Sequence, residues 1–207
     1  MALLDLEAFR QISLAVEPFK HLVVPGFLRA ESARSVRDDF PDIQYPGLLP
    51  VEAVTPGPAF AVLIGELTGP QAAAAFSEKF GIDLTGRPTM VTLRGRAQAK
   101  DGRIHTDSEA KLVTALLYFN DGWEGPGGRL RLLRGPDDLT DMITEVPPEL
   151  GTLVAFRRAD NSYHGHEPYI GVRRYLMINW MSSGLTAQRE LMRHRLSAQA
   201  KKMLHYG

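Results

Sequence analysis

Histidine and aspartate stand two residues apart in Ile104-His105-Thr106-Asp107, and in extended backbone that spacing projects both side chains from one face of a strand. An imidazole and a carboxylate placed this way can grip one metal ion. A lone His-x-Asp pair is common by chance, and its bland reading is a polar strand end, so the chemistry needs a third ligand from elsewhere. The segment Ser162-Tyr163-His164-Gly165-His166-Glu167-Pro168 supplies two candidate histidines. Two neutral imidazoles and one carboxylate on one side of a metal leave positions open for an oxo-acid and dioxygen together, an arrangement suited to iron(II). Zinc accepts the same donor types, so the ligands alone do not separate the two metals. The chain has no cysteine, which removes thiolate metal sites, disulfides and cysteine nucleophiles.

The elements that must position these residues follow from pattern. Apolar residues at near-helical spacing over Leu3–Ala15 predict a helix, broken at Glu17-Pro18 before the β-type run His21–Val24. Ala30–Phe40 predicts an amphipathic helix, and Ala59–Phe80 predicts two short helices divided at Gly69-Pro70. From Pro88 the texture changes to short β-type runs over Thr89–Leu93, Leu112–Phe119, Arg129–Leu133, Thr152–Phe156 and Arg174–Trp180. Helices gathered ahead of the strands, rather than alternating with them, argue against a doubly wound sheet and for a β-barrel or sandwich. A charged terminal helix is expected over Thr186–Leu204, packed on the barrel or against a second copy, which leaves a homodimer open.

Composition narrows the partners. With 207 residues and 44% hydrophobic content, one domain with one substantial core is the expectation. Lys plus Arg and Asp plus Glu both total 24, so no net field favours nucleic acid or an anionic membrane surface. A small-molecule or peptidyl substrate is easier to accommodate. No apolar run approaches the roughly 18 residues of a membrane span, and a cytoplasmic protein is expected.

Five elements in order resemble the prolyl-hydroxylase-like branch of the iron(II)/2-oxoglutarate oxygenases. They are His105-Thr106-Asp107, then Thr114–Asn120, Gly127-Gly128-Arg129-Leu130, Pro147–Gly151, and His164 followed by Pro168, Arg174 and Trp180. The resemblance implies a mainly β fold with flanking helices around a double-stranded β-helix (jelly-roll, cupin-like) core. It divides the single domain 1–207 into a helical part over 1–87, a core over 88–183 and a terminal helix over 186–204. It implies iron(II) on His105, Asp107 and His164, with His166 as the rival to His164, and 2-oxoglutarate and O2 as co-substrates, with ascorbate as a supporting reductant.

Members of the family use a basic residue about ten after the distal histidine and six before a tryptophan to bind the far carboxylate of 2-oxoglutarate. Arg174 meets both spacings, and Arg173 is the alternative. A guanidinium suits that role because it can meet both carboxylate oxygens. Tyr118 stands where related hydroxylases place a tyrosine that reaches the same carboxylate. The implied reaction is oxidative decarboxylation of 2-oxoglutarate to succinate with hydroxylation of a substrate C–H bond, a prolyl residue being one candidate. Two alternatives use the same fold: a cupin-like hydrolase or isomerase without 2-oxoglutarate, and a catalytically silent binding module. Gly127-Gly128 is expected where backbone approaches the site and Trp123 over the entrance; Arg94–Arg103 stands where related enzymes carry a substrate-covering loop, with a plain solvated loop as the expected reading.

Overall fold

The computed structural model describes residues 2–125, 127–185, 188–190 and 192. In chain order these form α1 (Leu6–Gln11), β1 (His21–Val24), α2 (Ala30–Asp38), β2 (Leu49–Pro50), a single 3-10 turn at Val51–Ala53, α3 (Pro58–Thr68), α4 (Pro70–Phe80), β3 (Thr89–Ala97), β4 (Lys111–Tyr118), β5 (Leu130–Leu133), β6 (Met142–Val146), β7 (Leu153–Arg157), β8 (His164–Gly165) and β9 (Gly171–Met181). The terminal helix expected over Thr186–Leu204 lies almost entirely outside the described residues.

The helices start and stop where local chemistry says they should. Asp5 caps α1 by accepting from the Ala8 amide, and proline at the first position opens both α3 and α4. Gly69 ends α3 and caps α4 in extended backbone, so the Gly69-Pro70 pair turns one apolar stretch into two packed helices. Among the described residues no single helix is long and apolar enough to cross a membrane.

Six antiparallel strands form a large sheet in the order β1-β7-β4-β9-β3-β2, and three form a small one in the order β6-β5-β8. Strand alternation gives the large sheet two apolar faces. Leu93, Val113, Ala115, Leu117, Leu176, Ile178 and Trp180 face the helices and join Phe9, Phe60 and Phe76 in the main core. Leu116, Tyr118, Val154, Phe156, Tyr175 and Met177 face the small sheet and pack with Leu130, Leu132 and Val146. The result is the expected jelly-roll sandwich with helices on one side.

Phe76 is the hinge of the helical layer, stacked on Phe9 with centroids at 4.4 Å and against Trp180 at 4.6 Å. Phe76→Ala should cost about 3–5 kcal/mol, measured by chemical denaturation, because the fully buried ring leaves a cavity that neighbouring aromatics cannot fill.

Candidate metal centre

His105 and His164 are brought together by backbone. The two residues form an antiparallel bridge in which His105 N donates to His164 O at 3.1 Å and His164 N to His105 O at 3.0 Å. Directly opposed residues point the same way, so the rings lie side by side with centroids 4.3 Å apart. Asp107 follows two residues on, and one ligand atom from each of His105, Asp107 and His164 lies within 4.8 Å of the others.

Each imidazole is oriented from behind. A carbonyl only accepts, so the ring nitrogen facing it carries the proton. His105 Nδ1 donates to Arg103 O at 2.8 Å and His164 Nδ1 to Ser162 O at 3.0 Å. Nε2 of both rings is thereby left with a lone pair for a metal. Burial opposes the charge on Asp107, but the neighbouring Lys111 and His164 hold its carboxyl down at about 2. Burial lowers His164 to about 4, so at neutral pH its imidazole is neutral beside the Asp107 carboxylate, as a divalent cation requires of both.

The sign of these shifts gives a stability prediction. His166 is also lowered to about 4, by burial and by the charge of Arg173. A histidine at about 4 in the fold and about 6.5 unfolded binds more protons in the unfolded state between those values. Stability of the metal-free protein should therefore fall as pH drops from about 6.5 towards 4, by on the order of 2 kcal/mol per buried histidine by about pH 5. Urea melts at pH 7 and pH 5 measure it.

His166 sits in the same cavity but not in the trio; its Nδ1 donates to Glu167 O at 2.8 Å. The cavity holds about 210 Å³ and is lined near the trio by Lys111 and Thr114, and further in by Arg173 and Tyr175. Arg94, Asp101 and Gly102 also line it, so the segment expected as a plain solvated loop forms one wall of the site. Arg94 donates to Tyr175 Oη at 3.0 Å and pairs with Asp101, which also accepts from Gln98 N. Gly102, at φ +93°, lies so close to His166 that any side chain there would strike its carbonyl oxygen. Gly102→Ala should therefore distort the approach to His105, seen as weaker metal binding.

The structure does not place Arg174 at the metal cavity. Trp180 packs on Phe76 in the helical layer, so residues an even number away from it on β9 face the helices. Arg174 accordingly stacks on Phe40 at 5.9 Å and lines a surface cleft with Trp123 and Tyr169. Arg173 faces the metal cavity: its side chain is fully buried, and Nε donates to Gly128 O at 2.7 Å. Gly128, at φ +76°, thus brings backbone to the guanidinium rather than to the metal. Trp123 stacks with Tyr169 at 4.6 Å beside the surface cleft, not over the metal cavity.

Tyr118 lies beside Arg173, whose guanidinium is 5.6 Å from its ring, and burial raises its phenol to about 12. Tyr118 Oη and Arg173 Nη2 are both buried and have no hydrogen-bond partner among the described residues. Two neighbouring donors without partners, that of Arg173 on a residue lining the cavity and that of Tyr118 beside it, fit a carboxylate, which accepts from both.

Residues 96–182 match the family model of the 2OG-Fe(II) oxygenase superfamily. That segment contains the trio, Tyr118 and Arg173. A comparison with the sequences of characterised proteins gives no match. Solved structures do. A prolyl-4-hydroxylase from Pseudomonas putida is 21% identical with a TM-score of 0.57, over 79% of this chain and 93% of that one. The viral collagen prolyl hydroxylase of Paramecium bursaria Chlorella virus-1, in its 2OG complex, is 16% identical with a TM-score of 0.54, over 79% and 95%. HygX from Streptomyces hygroscopicus, with nickel and 2-oxoglutarate bound, is 16% identical with a TM-score of 0.52, over 78% and 81%. The fold is the double-stranded β-helix. Residues 96–182 of this fold therefore resemble the 2OG-Fe(II) oxygenase superfamily in sequence as well as in architecture.

Proposed function

We propose that the protein hydroxylates a substrate C–H bond, with His105, Asp107 and His164 holding iron(II) and Arg173 with Tyr118 holding the far carboxylate of 2-oxoglutarate. The orphaned pair Arg173 Nη2 and Tyr118 Oη, in the fold that carries the trio, is the observation that supports this most directly. Iron(II) held by His105, Asp107 and His164 would supply the activation of dioxygen for the oxidative decarboxylation of 2-oxoglutarate to succinate and carbon dioxide.

The protein's own residues bind, orient and shield. Arg173 is held by the Gly128 carbonyl, so its remaining donors are aimed before the co-substrate arrives. Tyr118, a neutral phenol at physiological pH, adds a second donor. Leu116, Leu130 and Met177 line the cavity and exclude water from the reacting centre. Asp107 retains a carboxylate in the third ligand position, and our reading of the reaction as hydroxylation rests on that full ligand set.

A prolyl residue is the first substrate to test, because several similar structures are of prolyl hydroxylases. The co-substrate reaction needs no knowledge of the substrate. Purified protein with iron(II) and ascorbate should release succinate from 2-oxoglutarate slowly without substrate, and metal plus 2-oxoglutarate should raise the melting temperature. No succinate and no thermal shift would sink the proposal. Turnover quickened by a proline-containing peptide identifies the prolyl class.

A further inference from the structure

The hydrogen bonds behind Asp107 form a chain with a fixed direction. An ionised carboxylate only accepts, so Thr114 Oγ1, bonded to Asp107 Oδ2, must spend its single proton there. Thr114 can then only accept from Asn179, whose Nδ2 lies 2.8 Å from Oγ1. On the other side Lys111 Nζ, a donor only, holds Oδ1 at 2.6 Å. Both carboxylate oxygens are tied from the protein side, and Asp107, Thr114 and Asn179 are all buried.

The supports stand on the stiffest part of the fold. Thr114 and Asn179 are directly opposite each other across the β4–β9 ladder, and each of these strands is flanked on both sides within the large sheet. Asp107 itself lies in the irregular segment before β4 and has no ladder of its own. A ligand on a loop is thus braced by two residues on central strands.

We propose that Thr114 is the positioning residue for Asp107, with Asn179 fixing the direction in which its hydroxyl donates, so that the carboxylate is set for a metal before the metal arrives. This rests on the reading of His105, Asp107 and His164 as the metal site. Arg173 precedes Asn179 on the same face of β9 and lines the cavity, but its Nε donates to Gly128 O and not to Asp107 or Thr114. Loss of the Thr114 hydroxyl therefore weakens metal binding and leaves the co-substrate anchor untouched.

The test is Mn(II) affinity of the full chain, stripped of metal, measured by titration calorimetry without 2-oxoglutarate. Thr114→Val keeps the shape, removes the proton and should weaken Mn(II) binding by about 10-fold or more, within the range seen when supports of metal ligands are lost. Thr114→Ser keeps the hydroxyl and should bind within about 3-fold of the parent. Asn179→Leu should weaken binding by about 3- to 10-fold with an unchanged or higher melting temperature, since it also removes a buried carbonyl oxygen without a partner. Unchanged affinity in Thr114→Val, or no recovery in Thr114→Ser, overturns the inference alone. If Thr114→Val does not fold, Asn179→Leu decides, and parent-like affinity there overturns it equally. A parent that binds no Mn(II) overturns the metal-site reading and this inference together.

Discussion

Arg173→Met should raise the KM for 2-oxoglutarate by about 30-fold or more, while Arg174→Met should leave it within about 2-fold. The argument is one of unpaired charge. The co-substrate's far carboxylate would enter a buried space whose guanidinium is gone, and stranding one partner of a buried charge pair costs about 2–5 kcal/mol, where each 1.4 kcal/mol is tenfold. Arg173→Lys should fall between, since an ammonium restores the charge without the planar fork. Arg174 makes its cation–π contact with Phe40 on the far side of the sheet, and its loss removes nothing from the cavity. Steady-state succinate formation across a 2-oxoglutarate series measures all three variants. A large effect at Arg174 with none at Arg173 would place the anchor on the other face of β9.

His164→Ala, His105→Ala and Asp107→Ala should each abolish iron-dependent 2-oxoglutarate turnover, whereas His166→Ala should retain metal binding. Two imidazole nitrogens and one carboxylate oxygen would make the proposed site, and removing any one would leave too few donors to hold a labile divalent ion. His166 has its ring turned to Glu167 O and lies outside the trio despite its two-residue spacing from His164. Metal titration and succinate release, with circular dichroism to confirm the fold, distinguish the two histidines. Turnover that survives His164→Ala but not His166→Ala would reverse their roles.

Much of this was legible before any coordinates, and the part that was not has physical causes. The β1 run His21–Val24 and the division of the α3–α4 stretch at Gly69-Pro70 follow from local composition, because chain punctuation acts locally. β6 was missed: Met142-Ile143-Thr144-Glu145-Val146 is an edge strand with only Val146 fully buried, so it lacks a clean alternation. β8 was missed because two residues carry no pattern at all; His164-Gly165 is a strand only through its pairing with β5. For the arginines, alternation separated 173 from 174 correctly. Which set faced the metal depended on which layer Trp180 joined, and that is a tertiary fact. Likewise the brace of Thr114 and Asn179 joins residues 65 apart and has no local signature.

The cavity's size carries a consequence for what the proposed reaction can select. At about 210 Å³ it is smaller than the roughly 300–1,000 Å³ of pockets that enclose whole ligands. Once the oxo-acid lies between Arg173 and the trio, there is room for little more than the carbon to be oxidised. On the proposed reading a substrate would dock on the rim and offer a slender protrusion, leaving the outer loops to sort candidates and the interior to set how far in a bond must reach.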